Sequence, residues 1–178
     1  ILLAPEPEAK RTVEGDLGVY VNRKNLMERI GMEKLKMELS VEEEDLLNLP
    51  PIPKTEKEKR IILRLTEEAV YTSVDRHAGA VRNLFGESSG RKSVAEGKDL
   101  TEIKYIIGTG GALTRLQGTE KILAGIHEQG RGQKLFPKKE AEVLLDQDYL
   151  LASLGVLSLE YKESAKKLML KSLGLYGR

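Results

Sequence analysis

Several residue types and patterns are missing from this sequence, and each absence excludes a class of protein or site. The 178 residues include no cysteine, which excludes disulfides and thiolate metal sites and favours a reducing, cytoplasmic setting. Histidine occurs only at His77 and His127, which leaves little for a zinc site. No apolar run is long enough to span a bilayer, and the opening segment ILLAPEPEAKR lacks the basic start and long apolar centre of a signal peptide. We therefore predict a cytoplasmic protein with no membrane contact and no metal site.

An excess of positive charge is also missing. Lysine and arginine number 29 against 28 aspartates and glutamates, so the net charge is +1, and the two signs alternate along the chain. Nothing in this balance favours nucleic acid as a partner. With 40% hydrophobic residues, a chain of this length can bury one sizeable core and a small satellite lobe. Because it begins at Ile1 rather than at a methionine, we expect it to be a piece of a longer protein.

The first half of the sequence is rich in helical patterns. Residues 22–52 combine many Glu and Lys residues with a narrow apolar stripe and end at LPPIP, which predicts a small helical lobe separate from the rest. From about residue 55 to residue 84, apolar and small residues recur at three- and four-residue steps, which predicts one long helix. The polar stretch GESSGRKSVAEGKD then predicts a loop.

The order of elements changes after Leu100. Strand, helix, strand and helix patterns follow one another, which is typical of a parallel α/β layer, and residues 103–107 and roughly 142–145 are expected to be neighbouring parallel strands. Thr119 is the expected cap of the helix between them. Gly155 is a candidate point of close packing in the helical segment that follows. The predicted fold class is therefore α/β and rich in helices, with a short parallel sheet.

A glycine-rich turn ends the first of these strands, in the stretch IKYIIGTGGALTRL. Gly108, Gly110 and Gly111 lie at the carboxyl end of a predicted parallel strand, directly before a predicted helix. Ligands of open α/β sheets bind at such ends, and glycine lets a ligand approach the backbone closely. The spacing matches neither the Rossmann fingerprint nor a Walker A loop. A turn that only connects strand to helix therefore stays open beside a ligand-binding turn.

Four blocks of this sequence resemble one family closely: EPEAKRTVEGDLGVYVN, VDRHAG, GKDLTEIKYIIGTGGALTRL and LLDQDYLLASLGVLSLEY. They are similar to the MutL-type accessory proteins of adenosylcobalamin-dependent glutamate mutase and related amino-acid mutases, which are unrelated to the mismatch-repair protein of the same name. The resemblance covers nearly the whole chain. It implies membership of the superfamily of actin, sugar kinases and heat-shock chaperone ATPases, and an ATP-dependent role in reactivating the mutase.

The resemblance also implies where ATP or ADP would bind. Within the superfamily a strand ending in a Gly-Gly turn packs against adenosine, and that turn matches Gly108, Thr109, Gly110 and Gly111. Arg76 and His77 lie where residues flanking the base are often found in the superfamily, although a helix-face arginine and a histidine with ordinary hydrogen-bond partners explain them more simply. The ASLG pattern, residues 152–155, resembles a helix that packs against the other half of the fold.

A carboxylate pair before the first lobe has two interpretations. In EGDLG, Glu14 and Asp16 either form a pair near the cleft that orients water or a metal, or belong to a polar turn in which Asp16 bonds its own backbone. The residues alone favour the turn.

The motifs with which the superfamily holds phosphate and Mg²⁺ do not occur in this sequence. The chain therefore resembles the carboxyl-terminal, adenosine-side portion of such a protein, with residues 1–21 and 53–178 as that subdomain and residues 22–52 as the small lobe. We expect ATP hydrolysis with Mg²⁺ only from the full-length protein, not from this portion alone. The expected partners are the mutase subunits and the amino-terminal half of the same protein. The alternative is a scaffold domain for the mutase that does not bind nucleotide.

Overall fold

A computed structural model describes residues 12–86, 90–130 and 132–177. It shows a mixed α/β chain, as the sequence predicts. The α helices and β strands, in chain order, are α1 (Arg23–Ile30), α2 (Met32–Leu39), α3 (Glu43–Leu47), α4 (Glu56–His77), β1 (Ala80–Gly86), β2 (Gly90–Glu96), β3 (Tyr105–Gly108), α5 (Gly111–Thr114), α6 (Thr119–Ala124), β4 (Glu142–Leu145), α7 (Leu151–Leu157) and α8 (Lys162–Ser172). Short 3-10 turns occur at Gly15–Leu17 and Gly125–Gln129.

The long helix α4 begins where the sequence predicts but ends earlier. Thr55 forms a capping box with Glu58, in which each side chain accepts a hydrogen bond from the other residue's backbone N–H. The helix stops at His77 rather than at residue 84, because the chain turns extended at Ala78 and passes another segment closely at Gly79. A Cβ at Gly79 would lie 2.8 Å from the Lys98 nitrogen, so the two backbones approach as only glycine allows.

Much of the predicted loop after α4 is a strand. Strands β1 and β2 pair antiparallel, from Ala80 opposite Glu96 to Gly86 opposite Gly90. The prediction of a polar loop over residues 86–99 is therefore wrong for residues 90–96, because pairing with β1 outweighs a weakly β-forming composition. Residues 87–89 lie outside the described part of the chain.

The parallel sheet of β3 and β4 confirms the predicted neighbouring strands. Tyr105 pairs with Glu142, and the register continues to Gly108 opposite Leu145. Helix α6 covers one face of this sheet. The side chains clustered there come from both strands, α5, α6 and its following turn, the second half of α4 and connecting segments: Val70, Tyr71, Val74, Ala78, Leu100, Ile106, Leu113, Leu123, Ile126, Phe136, Val143 and Leu145.

Residues 22–52 contain α1, α2 and α3, which pack on the first half of α4. Their buried side chains belong to one cluster with those of α4: Leu26, Met27, Ile30, Leu35, Leu39, Val41, Leu46, Leu49, Ile61, Ile62, Leu65 and Ala69. The helices of this segment therefore depend on α4 for burial. The division of the chain into two domains stays a prediction.

Two local expectations near the glycine turn and α7 are wrong. Thr119 is the first residue of α6 rather than its cap; the cap is Gly118, and the Thr119 hydroxyl instead donates to the Leu113 carbonyl at 2.6 Å. Gly155 is not a point of close packing within the described residues, because a Cβ there would meet no atom within 4 Å. No helix in the described part of the chain is long and apolar enough to cross a membrane.

The shared core makes a prediction about cooperativity. Leu26 of α1 is fully buried, so Leu26→Ala should lower the free energy of unfolding by about 2–5 kcal/mol. The loss should appear in one transition that includes α4, because α1 and α4 bury the same cluster. Chemical denaturation followed by circular dichroism measures both quantities. Met37→Ala is the control, since Met37 is 76% exposed and its truncation should change little. A separate early transition for residues 22–52 would contradict a shared core.

Candidate functional site

The glycine turn joins β3 to α5 in a conformation that requires glycine. β3 ends at Gly108, and Gly110 has φ of 97° and ψ of 148°, a region that residues with a Cβ essentially never occupy. Helix α5 then begins at Gly111. The turn thus exposes backbone at the carboxyl end of a parallel strand, where α/β proteins bind ligands.

The glycines of this turn have different roles. A Cβ at Gly108 would lie 2.6 Å from Cδ1 of Leu123 and 2.8 Å from Cδ2 of Leu145, so Gly108 lets α6 pack closely on the sheet. A Cβ at Gly110 or at Gly111 would meet no atom within 4 Å. Packing therefore explains Gly108, and backbone conformation explains Gly110. Neither explains Gly111.

Gly110 and Gly111 line an open groove of about 340 Å³. The glycine turn and α5 form one wall, and α4 forms the opposite wall with Thr66, Ala69, Val70 and Ser73. The segment around the first 3-10 turn adds Glu14, Leu17 and Val19. Among the described residues that line the groove none is lysine or arginine. Its chemistry suits an uncharged, flat, partly apolar ligand group better than a phosphate.

Asp146 holds the glycine turn from behind, and sequence reasoning missed it. Its carboxylate is fully buried and accepts from the Thr109 hydroxyl at 3.0 Å and from the Ser172 hydroxyl at 2.5 Å. The backbone N–H groups of Leu150 and Leu151 each donate to it at 3.0 Å. Both carboxylate oxygens are therefore satisfied, and the residue links the turn, the start of α7 and the end of α8.

The ionisation of Asp146 follows from these partners. Burial alone would raise the pKa of its carboxyl group, but the hydrogen bonds from Ser172, Leu151, Leu150 and Thr109 outweigh it and hold the pKa below its usual value. The sequence does contain one signal for a functional position at Asp146. An aspartate that directly follows a buried strand lies at the ligand-binding edge of a parallel sheet.

Arg76 is bound by the carboxylate pair of the EGDLG segment. Its Nη1 lies 2.6 Å from Glu14 Oε2 and 2.7 Å from Asp16 Oδ1, and its Nη2 lies 2.9 Å from Asp16 Oδ2. The hydrogen bond from Arg76 lowers the pKa of Asp16, and the same contact with Asp16 raises the pKa of Arg76. The two carboxylates thus anchor the segment before α1 to the end of α4, a role that neither sequence interpretation included.

His77 contacts the same segment at another point. Its Nδ1 lies 2.8 Å from the Thr12 hydroxyl. Neither Arg76 nor His77 is among the described residues that line the groove. Arg76 is connected to the groove by its hydrogen bond to Glu14, which is a lining residue. A place for either residue beside a bound base stays a prediction. No group of three or more His, Cys, Asp or Glu side chains that could hold a metal occurs within residues 12–86, 90–130 and 132–177.

The protein is thus a mixed α/β chain with an open groove at its glycine turn. Comparison with known proteins identifies its family. The family model described as MutL protein matches residues 1–173, so this chain belongs to the MutL protein family. It is 31% identical over 177 residues to a protein of Clostridium tetanomorphum named Protein MutL, an alignment that covers 94% of this chain. The chain spans 38% of the length of that relative. No solved structure matches it.

The Arg76 cluster predicts a pH-dependent contribution to stability. Because the pKa of Asp16 is lowered from 3.8, its ion pair stabilises the fold above that pH and is lost as the pH falls through the lowered value. Arg76→Gln should therefore lower the Tm at neutral pH, and the difference from the parent chain should shrink on acidification below 3.8. Thermal unfolding at a series of pH values measures this.

A second ion pair supplies the control for this measurement. Lys138 pairs with Glu102 at 2.6 Å, but both side chains are exposed, so Lys138→Gln should change the Tm little at any pH. A difference between Arg76→Gln and the parent chain that stays constant from neutral to acid pH would show that the carboxylate of Asp16 does not carry the effect.

Proposed function

We propose that the groove at Gly110 and Gly111 receives the adenosine part of ATP or ADP in the full-length protein. The observation that carries this proposal is the open space beside Gly111, at which neither packing nor backbone conformation requires a glycine. A Cβ there would enter the space that the ligand needs. A groove of about 340 Å³ lies within the range of small-molecule sites.

The lining of the groove fits adenosine in chemical character. Ala69 and Val70 of α4, together with Leu17 and Val19 of the segment around the first 3-10 turn, offer apolar surface for a flat base. The backbone of the glycine turn and the Ser73 hydroxyl offer polar contacts nearby. Since no cation among the described lining residues faces the groove, the phosphates and their Mg²⁺ require groups from the rest of the protein. This portion alone should then bind nucleotide weakly, because much of the ligand stays in water.

The biological role that we propose follows from the family. MutL-type proteins resemble ATPases of the actin and chaperone superfamily, so the full-length protein would be an ATP-dependent reactivating factor for an adenosylcobalamin-dependent amino-acid mutase of the glutamate mutase type. Its partners would be the mutase subunits and the remaining part of its own polypeptide. Any ATP hydrolysis would belong to the full-length protein, in which phosphate and adenosine groups act on one nucleotide.

A scaffold domain that holds the mutase without nucleotide is the second candidate. An exposed apolar stripe on α7 and the turn after it favours this candidate, since Val156 is 72% and Leu159 is 86% exposed. A domain that only binds partners has no need of an open groove and could fill it with side chains. The space at Gly111 therefore favours the nucleotide-dependent role.

Substitution of Gly111 tests the adenosine site. Gly111→Val should weaken ATP binding by the full-length protein about tenfold or more, because the added side chain occupies the groove while the backbone stays unstrained. Gly110→Val is a poorer test, since its positive φ would strain the chain whatever the ligand. Isothermal titration calorimetry gives the affinity, and thermal unfolding confirms that the variant is folded.

Ser164→Val is the control for this experiment. It adds a β-branched side chain to an exposed small residue of α8, outside the groove, and should leave ATP affinity unchanged. Unchanged affinity in folded Gly111→Val would contradict the adenosine assignment.

A pull-down from lysate of the source organism, with mass spectrometry of the captured proteins, tests the mutase partner separately.

Residues 1–178 alone and the full-length protein should differ in their affinity for ATP. Calorimetry should give weak or undetectable ATP binding for residues 1–178 and stronger binding for the full-length protein. Tight binding by residues 1–178 would show that groups within them hold the phosphates.

A further inference from the structure

The buried carboxylate of Asp146 joins two parts of the molecule that are distant in the sequence. One is Thr109, which lines the groove and whose hydroxyl donates to Oδ2 of Asp146 at 3.0 Å. The other is Ser172, the last residue of α8, whose hydroxyl donates to Oδ1 at 2.5 Å. The backbone N–H of Asp146 also donates to the Gly108 carbonyl at 2.9 Å, which ties this residue to the glycine turn twice.

Helix α8 packs on α7 and is also attached to the sheet through the contact between Asp146 and Ser172. Within α8 the buried side chains are those of Ala165 and Ser172, while Leu168 is exposed. Ser172 is held from several directions, since its hydroxyl accepts from Asp148 N at 3.1 Å and its carbonyl accepts from Gln147 N at 3.0 Å. The polar cluster of Asp146 and Ser172 is thus a main attachment of the end of α8 to the sheet.

We propose that Asp146 is a positioning residue that couples the glycine turn to α8, so that nucleotide in the groove and docking of α8 stabilise each other. This proposal rests on the adenosine site proposed above. The carboxylate has four donors and no spare lone pair facing solvent, so displacement of α8 removes the Ser172 donor and leaves the same carboxylate, which also holds Thr109, less well fixed. Coupling of this kind is reciprocal, since a ligand that fixes the turn must favour the docked helix.

Ser172→Ala tests the coupling without touching the groove. It removes one donor from Asp146 and the acceptor of the Asp148 N–H, and it changes none of the residues that line the groove. In the full-length protein it should raise the Kd for ATP by about 2- to 30-fold, the range of coupling through intermediate residues. Ser164→Ala, an exposed serine on the same helix, is the matched control and should leave the Kd unchanged.

Amide hydrogen exchange distinguishes a residue that couples the groove to α8 from one that only stabilises the fold, because only the first changes the protection of α8 by ATP. ATP should slow exchange in α8 of the parent protein and of Ser164→Ala, and this protection should be lost or much reduced in Ser172→Ala. Without nucleotide, Ser172→Ala should speed exchange of the amides of Leu113 and Thr114 in α5 and of Arg115 directly after it, which donate to carbonyls of Gly110 and Gly111. Amides in the first half of α4 should keep their rates.

The outcomes separate this proposal from the proposed function. If the parent protein binds no ATP, the adenosine site fails, and the exchange of the α5 amides without nucleotide still decides whether α8 holds the turn. If ATP binds with equal affinity to parent and Ser172→Ala, and α8 protection is unchanged, the coupling is overturned while the adenosine site stands.

Asp146→Asn is the second variant. Its amide NH₂ group must face a backbone N–H, so it should change the Kd for ATP and the exchange of α8 more strongly than Ser172→Ala.

Discussion

The burial of α4 on both of its halves is the constraint on which the rest of this structure depends. Its first half, from Ile61 to Ala69, completes the core of α1, α2 and α3, and its second half packs with α6 and the parallel sheet. A helix of 22 residues extends about 33 Å at 1.5 Å per residue, which is enough to serve two clusters in sequence. The groove lies against the middle of this helix, where Thr66, Ala69, Val70 and Ser73 leave room because they are small. Any change that shifts α4 therefore moves a wall of the groove and both cores together.

Local chemistry explains what could be predicted from the sequence. The start of α4 near Thr55, the parallel pairing of β3 with β4, and the glycine turn between strand and helix follow from nearby residues and apolar runs. The end of α4 and the strand β2 could not be predicted, because they depend on Gly79 meeting the backbone near Lys98 and on pairing between segments. Asp146 was missed for the same reason, since its hydroxyl partners Thr109 and Ser172 are 37 and 26 residues away.

Among the residues that the structure describes, no lysine or arginine side chain lines the groove. Arg76 is linked to the groove through Glu14, but Glu14 and Asp16 already satisfy its guanidinium group. A phosphate would have to compete with two carboxylates for it, which costs more than binding a free arginine. A place for Arg76 beside a base is implied only by the family resemblance, from its position late on α4. The structure gives it a partner within the chain that spacing alone could not reveal.

One face of the parallel sheet is partly exposed at β3. Parallel strands are normally covered on both faces, and here the second face is covered only in part. Leu144 of β4 is 7% exposed, whereas Ile107, its register partner on β3, is 49% exposed. Tyr105, on the same face of β3, is also exposed. Because the relative from Clostridium tetanomorphum is much longer than this chain, we propose that further polypeptide of a full-length protein of this family covers this face of β3. That surface ends at the glycine turn, so the polypeptide that covers it would come close to the groove, where groups for the phosphates are needed.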